Sequence, residues 1–177
     1  MKIITISSKA RHGKDYTANI LKDRLEQNGS TVLVTHYADL LKYIMKTFFG
    51  WNGKKDEEGR TKLQYVGTDV IRKKRPDYWV DFIIGILQLF PCVWDYVIIP
   101  DTRFQNENNK LKSSGFDTVA VRIERPNFDN GLTESQKQHD SETALDNYPF
   151  DYYITNNGDK TLHKEVEKFI NWMEAGN

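Results

Sequence analysis

Residues 2–15 read KIITISSKARHGKD, and the order of their residue types decides the fold. Residues 2–7 are rich in β-branched side chains and predict a strand. After the break at 8–15, Ala18, Leu21 and Leu25 recur at helical spacing until Asn28-Gly29 stops the helix. A strand, a loop carrying Gly13-Lys14 and a helix, in that order, form the setting in which a loop binds phosphate. Backbone N–H groups of such a loop point inward, and the helix N-terminus adds positive potential.

Within SKARHGKD, Lys14 is placed to reach the β- and γ-phosphates of a nucleotide as a mobile charge, and Gly13 lets the backbone approach the anion without a Cβ in the way. Ser8, Lys9, Ala10, Arg11, His12, Gly13, Lys14 and Asp15, with Tyr16 behind them, are the candidate nucleotide-binding residues. Two positions depart from the pattern GxxxxGK[ST]: Ser8 stands where the first Gly is expected, and Asp15 replaces the hydroxyl that ordinarily binds Mg²⁺. The competing reading is an ordinary turn, with Lys14 exposed and Asp15 set at the positive end of a helix.

Outward from this stretch, TVLVTH (31–36), DYVIIP (95–100), DTVAVRI (117–123) and DYYIT (151–155) are short apolar runs bounded by turn or charged residues, and read as four further strands. Helical spacing links Leu40, Ile44 and Phe48; Leu63, Val66 and Val70; the stretch 105–114; and Leu162, Val166, Phe169 or Ile170, and Met173. Strands alternating with helices predict an α/β fold with a parallel five-stranded sheet covered on both faces. Two connections, 37–94 and 124–150, are too long for simple crossovers and are read as functional insertions. The first is helical in pattern apart from the solvated loop 51–59; in the second, Thr133 with Gln136 fits a capping box.

With 177 residues, 38% hydrophobic and 12% aromatic, the chain predicts one globular domain rather than disorder. Its 25 Lys and Arg balance 25 Asp and Glu, so no global basic field would hold long nucleic acid. The single cysteine, Cys92, lies in the apolar run FPCVW; it excludes an internal disulfide framework, suits a reducing cytosol and is expected to pack in the core. No apolar run approaches the length of a membrane span, and residues 1–20 hold no long apolar segment of the secretory kind. His12, His36, His139 and His163 lack metal-ligand spacing.

Asp101 ends the most apolar strand, where open α/β sheets place their ligands, and suits the few carboxylates that Mg²⁺ takes beside its waters; capping the next helix is the competing role. Arg11, Arg72, Arg103, Arg122 and Arg125 gather at predicted loops and strand ends, and their planar forks suit phosphates.

Together these segments resemble the deoxynucleoside monophosphate kinases of phage type, within the P-loop group that also holds dephospho-coenzyme A kinase and the animal-type phosphomevalonate kinase. The marks are Gly13-Lys14-Asp15, YADLLK (37–42), LQYVGTDVIR (63–72) with RPDYW (75–79), Asp101-Thr102-Arg103, RIERP from Arg122, HDSE (139–142) and ITNNG (154–158). The resemblance implies a three-layer P-loop kinase fold, a helical monophosphate-binding insertion at 37–94, a lid at 124–150, and ATP with Mg²⁺ as the cofactors. It implies small nucleotide substrates, no long nucleic acid and no membrane, a cytoplasmic setting (the host cytoplasm where the enzyme is phage-encoded), and leaves a homodimer open.

On that reading Lys14, Arg72, Arg103 and Arg125 are the catalytic cations, with Arg72 and Arg103 on the acceptor phosphate and Arg125 serving lid closure. Asp15 and Asp101 hold Mg²⁺ through water, and Asn156 and Asn157 bracket the adenine of ATP. Asp39, Lys42, Gln64, Asp69, Trp79 and Glu142 complete the acceptor site. A phosphomevalonate or dephospho-coenzyme A acceptor, or a binding module without catalysis, are the alternatives.

Overall fold

The computed structural model describes residues 1–54 and 56–176. In chain order these form β1 Lys2–Ser8, α1 Lys14–Gln27, β2 Val32–Val34, α2 Tyr37–Phe49, α3 Glu57–Gln64, a π-helix Tyr65–Arg72, α4 Tyr78–Leu89, β3 Tyr96–Ile99, α5 Gln105–Ser113, β4 Asp117–Glu124, α6 Glu134–Lys137, α7 Asp140–Thr143, β5 Tyr152–Thr155 and α8 Thr161–Glu174. All the predicted strands are present, β2 shortened to three residues. They make one parallel sheet in the order β2-β3-β1-β4-β5.

The chain divides into two compact units. The first, Met1–Thr35 with the chain from Pro91 onward, contains the sheet. Its central strand β1 pairs Lys2 with Tyr96 on one side and with Asp117 on the other. Being flanked on both edges and covered on both faces, β1 is buried without a break from Ile3 to Ser8, Thr5, Ser7 and Ser8 included, rather than in alternation. Ile4 and Ile6 of β1 join Val119, Val121 and Ile123 of β4 in a core sealed by Leu21 and Leu25 of α1 and by Val166, Phe169 and Ile170 of α8. On the opposite face Ala120 packs with Leu145 and Tyr148, and Arg122 and Ser7, paired across β4 and β1, come out beside them.

The second unit, His36–Phe90, is the helical insertion, one residue from its expected start. α2 opens on a capping box in which Asp39 accepts from the His36 backbone N–H at 3.0 Å. Within it the π-helix Tyr65–Arg72 continues α3, a wider turn that 3.6-residue spacing does not anticipate. Gly67, at its centre, packs so closely that an added Cβ would lie 2.7 Å from Leu41 Cδ2.

One expectation is corrected: Cys92 is exposed, because FPCVW falls in the connection after α4, and connections run over the surface however apolar their composition. No helix among the described residues is long and apolar enough to cross a membrane.

Candidate functional site

The loop between β1 and α1 emerges from the carboxyl end of the central strand, with β3 and β4 on either side, the edge where open α/β sheets hold ligands. Its shape depends on two left-handed residues, Arg11 (φ 63°) and Gly13 (φ 91°), the second being the N-cap of α1. The Gly13 carbonyl accepts from the Thr17 backbone N–H at 2.9 Å and from Thr17 Oγ1 at 3.0 Å, which fixes the first turn of the helix. Asn156, 5% exposed, donates from Nδ2 to the His12 carbonyl at 2.9 Å and accepts on Oδ1 from the Gly158 N–H at 2.9 Å. Both ends of its amide are thus engaged in holding the loop against the turn after β5. Asn157, exposed beside it, donates to Thr161 Oγ1 at 3.3 Å. Buried Ser8 donates its hydroxyl to the Lys9 carbonyl at 2.8 Å.

Charged side chains surround the front of the loop. Lys9 Nζ donates to the Glu142 carbonyl at 2.6 Å and to Asp146 Oδ2 at 2.7 Å. Glu142 Oε2 accepts from the Ala10 N–H at 2.9 Å, and Glu142 Oε1 from Arg103 Nη1 at 2.5 Å. Arg122 reaches Ser7 Oγ at 3.0 Å and Asp146 at 3.3 Å, and Arg11 donates to the Asn130 carbonyl at 2.8 Å. At the helix end of the loop, Lys14 Nζ lies 3.0 Å from Asp15 Oδ2. Lys14, Arg103, Arg122 and Arg125 are thus carried by segments that all leave the same edge of the sheet.

Beside the loop a cavity of about 470 Å³ is lined by Gly13, Tyr16, Arg125, Asn156, Gly158 and His163, among others. Such a volume falls in the range of small-molecule sites, roughly 300–1,000 Å³. The Arg125 guanidinium lies 3.7 Å from the centre of the Phe128 ring, a cation–π contact that keeps the charge at the rim of this cavity. Tyr16 and His163 meet edge to face, ring centres 6.4 Å apart. His163 and Asp146 were not singled out by the sequence; Asp146 lies four residues beyond Glu142, and that spacing is the signal that could have found it.

Burial, with Arg122 and Arg125 nearby, holds the His12 imidazole below its ordinary pKa of 6.5, against the opposing pull of Glu142, and its buried Nδ1 meets no partner among the described residues. Because the folded state disfavours the imidazolium, this contribution to stability is complete above the ordinary value and is lost as pH falls through it toward the lowered one. Between about pH 7.5 and about pH 5.5 the unfolding midpoint should therefore drop further in the unaltered protein than in His12→Gln. Equal drops would show that His12 carries no such linkage.

The second unit holds the remaining predicted residues. Asp39 accepts from Lys42 Nζ at 2.7 Å; partial burial pushes its carboxyl up, but Lys42 and His36 outweigh this and hold it below the ordinary range. Gln64 is exposed at the end of α3, Asp69 pairs with Lys73 at 3.1 Å, and Arg72 Nη1 donates to the Pro76 carbonyl at 3.3 Å. Trp79 is buried and donates from Nε1 to the Gly67 carbonyl at 3.1 Å, so it serves the packing of this unit rather than offering an open stacking plane. Among the described residues no group of three His, Cys, Asp or Glu side chains gathers as a metal cage. Asp101 follows the carboxyl end of β3, half-buried in the turn there.

A five-stranded parallel sheet in the order 2-3-1-4-5, with a Gly-Lys loop leaving its central strand and helical insertions between its strands, is the architecture of the P-loop kinases. The fold is shared with Mycobacterium tuberculosis APS kinase CysC, solved in complex with AMPPNP and APS, at a TM-score of 0.56 and 11% identity over 98% of this chain and 97% of that one. The chain belongs to the deoxynucleotide monophosphate kinase family, whose profile matches residues 41–166. The deoxynucleotide monophosphate kinase of Enterobacteria phage T4 is 32% identical over 118 residues, 66% of this chain and 45% of the phage protein, so less than half of that relative's length is spanned.

Proposed function

We propose that this chain transfers the γ-phosphoryl of ATP to a deoxynucleoside monophosphate, giving the diphosphate and ADP. The observation that carries the reading is the loop at the end of β1, where Lys14, the left-handed Gly13 and the N-terminus of α1 meet next to a cavity of nucleoside size. Family membership supports the acceptor class.

The acceptor phosphate has a second pKa near 6 and is largely ionised at neutral pH, so no general base is required. What the protein must supply is in-line positioning of two polyanions and neutralisation of a loose transition state. Lys14 is assigned to the β- and γ-phosphate oxygens, with the N–H groups of the loop and of the first turn of α1. Arg103 and Arg72 are assigned to the acceptor phosphate. Arg125, at the cavity rim beside Tyr16 and His163, holds the base and ribose of ATP and draws the lid segment over them. Asp39, Lys42, Gln64 and Asp69 are assigned to the acceptor nucleoside.

Mg²⁺ needs no cage of three protein ligands: it keeps several waters and takes one or two carboxylates together with substrate phosphates. Asp15 in the first turn of α1 and Asp101 after β3 supply that donor set, the metal adding charge neutralisation at the phosphate oxygens when bound. The reading goes with an intracellular setting, where ATP is available.

The test is ADP release from Mg-ATP with each common deoxynucleoside and ribonucleoside monophosphate, with phosphomevalonate and dephospho-coenzyme A as comparison acceptors. Turnover with one or more deoxynucleotides is expected, and silence with all of them would sink the reading. Arg72→Ala should raise the KM for the monophosphate on the order of tenfold or more, with the KM for ATP within about threefold of the original. A reversed pattern would move Arg72 out of the acceptor site.

A further inference from the structure

Glu142 stands in the short helix α7, Asp140–Thr143, and its side chain is only 8% exposed. Both carboxylate oxygens are engaged from within the protein: Oε1 by Arg103 Nη1 at 2.5 Å and Oε2 by the Ala10 N–H at 2.9 Å. Arg103 Nη1 also donates to the Ser141 carbonyl at 2.9 Å, so the guanidinium is gripped through one nitrogen and neither of these bonds uses Nη2. The Glu142 backbone carbonyl takes Lys9 Nζ at 2.6 Å. Asp146, on the next turn, holds the same lysine and also reaches Arg122, which is anchored on Ser7 at the end of β1.

A carboxylate that reads a substrate hydroxyl or base turns open lone pairs toward the ligand. Glu142 instead has a protein donor on each of its oxygens, and an unpaired negative charge beside incoming phosphates would oppose them. Its pairing with Arg103 neutralises that charge, and it spares a long side chain the rotamer entropy of finding its place in each turnover. We propose that Glu142 is a positioning residue: through Arg103 and the Ala10 N–H it fixes a phosphate-facing guanidinium relative to the front of the phosphate loop. This rests on the phosphoryl-transfer reading for its effect on turnover, but not for the contacts themselves.

The experiment is a cycle of Glu142→Gln, Arg103→Met and the double variant, read by kcat and by both KM values, with the Ala10 amide proton followed by NMR without nucleotide. Gln keeps the shape of Glu142 but cannot accept at both ends. Glu142→Gln should lower kcat/KM for the monophosphate roughly 10- to 100-fold and leave the KM for ATP within about threefold. In the Arg103→Met background the same change should add less than about threefold, because a residue acting through Arg103 has nothing left to position. A raised KM for ATP, or losses that multiply in the double variant, would overturn the proposal in favour of direct substrate contact.

The Ala10 amide resonance should move upfield and exchange faster in Glu142→Gln; an unmoved resonance also overturns it. If Glu142→Gln does not fold, the same amide is read in Glu142→Asp, whose shorter carboxylate withdraws from Ala10. Should the unaltered protein turn over no monophosphate, the phosphoryl-transfer reading fails by itself, and the Ala10 resonance still decides whether Glu142 holds the loop.

Discussion

Lys14→Ala is expected to lower turnover by about a thousandfold or more while leaving the fold intact. A thousandfold corresponds to roughly 4 kcal/mol of transition-state stabilisation, a magnitude reached by cations that meet developing charge in a site where water is excluded. The folded state gives up little in exchange. Lys14 stands at the first position of α1, where the helix needs no positive charge, and its visible partner is Asp15, itself 62% exposed at the side chain. Exposed pairs of this kind contribute about 0–1 kcal/mol. The expected result is an unfolding midpoint close to that of the unaltered protein and a kcat near background. Near-normal turnover would remove the phosphate-loop assignment altogether.

Gly13→Ala is expected to fail for a different reason. At φ 91° an alanine is strained, and its Cβ would sit 2.6 Å from Asn156 Nδ2. That nitrogen cannot easily step aside, because it is buried and donates to the His12 carbonyl. Backbone strain of roughly 1–3 kcal/mol and the loss or distortion of a buried hydrogen bond of about 1 kcal/mol put the destabilisation at a few kcal/mol. Unlike Lys14→Ala, this variant should lower the unfolding midpoint clearly and weaken binding of ATP itself tenfold or more, since the loop N–H groups lose their convergence. Thermal unfolding and a nucleotide titration measure both effects. Adding Asn156→Ala should relieve the collision and leave the backbone strain, so partial recovery in the double variant is part of the expected result. A Gly13→Ala protein as stable as the original would mean that the loop does not hold this conformation in solution.

The fold was largely legible because its signals are local. A β-branched run followed by Gly-Lys and a helical repeat describes β1, the loop and α1 without reference to the rest of the chain. The spacing of apolar runs located the other strands, and the two overlong connections marked the helical unit and the lid. The contacts that shape the site were not legible, because they join residues far apart in sequence. Asn156 lies in an Asn-Asn-Gly turn that suggests a ligand bracket, yet its amide meets His12. Glu142, in the HDSE stretch, is read from the sequence as an acceptor-site residue, while its partners in the structure are Ala10 and Arg103. The π-helix escaped because Leu63, Val66 and Val70 fit a 3.6-residue repeat well enough to hide a wider turn. Cys92 marks an error of composition, an apolar neighbourhood that runs over the surface, whereas Trp79, a candidate base contact whose place beside Val80 and Phe82 equally suits core packing, is buried.

The position of β1 at the centre of the sheet also governs how the chain must be made. Its two neighbours are β3 and β4, roughly a hundred residues downstream, with the whole helical unit synthesised in between. At translation rates of about 5–20 residues per second, β1 waits on the order of ten seconds after its own synthesis for either partner. For that interval β1, which ends buried on both faces, has neither edge paired, and an unpaired strand of this kind is a template for association with another chain.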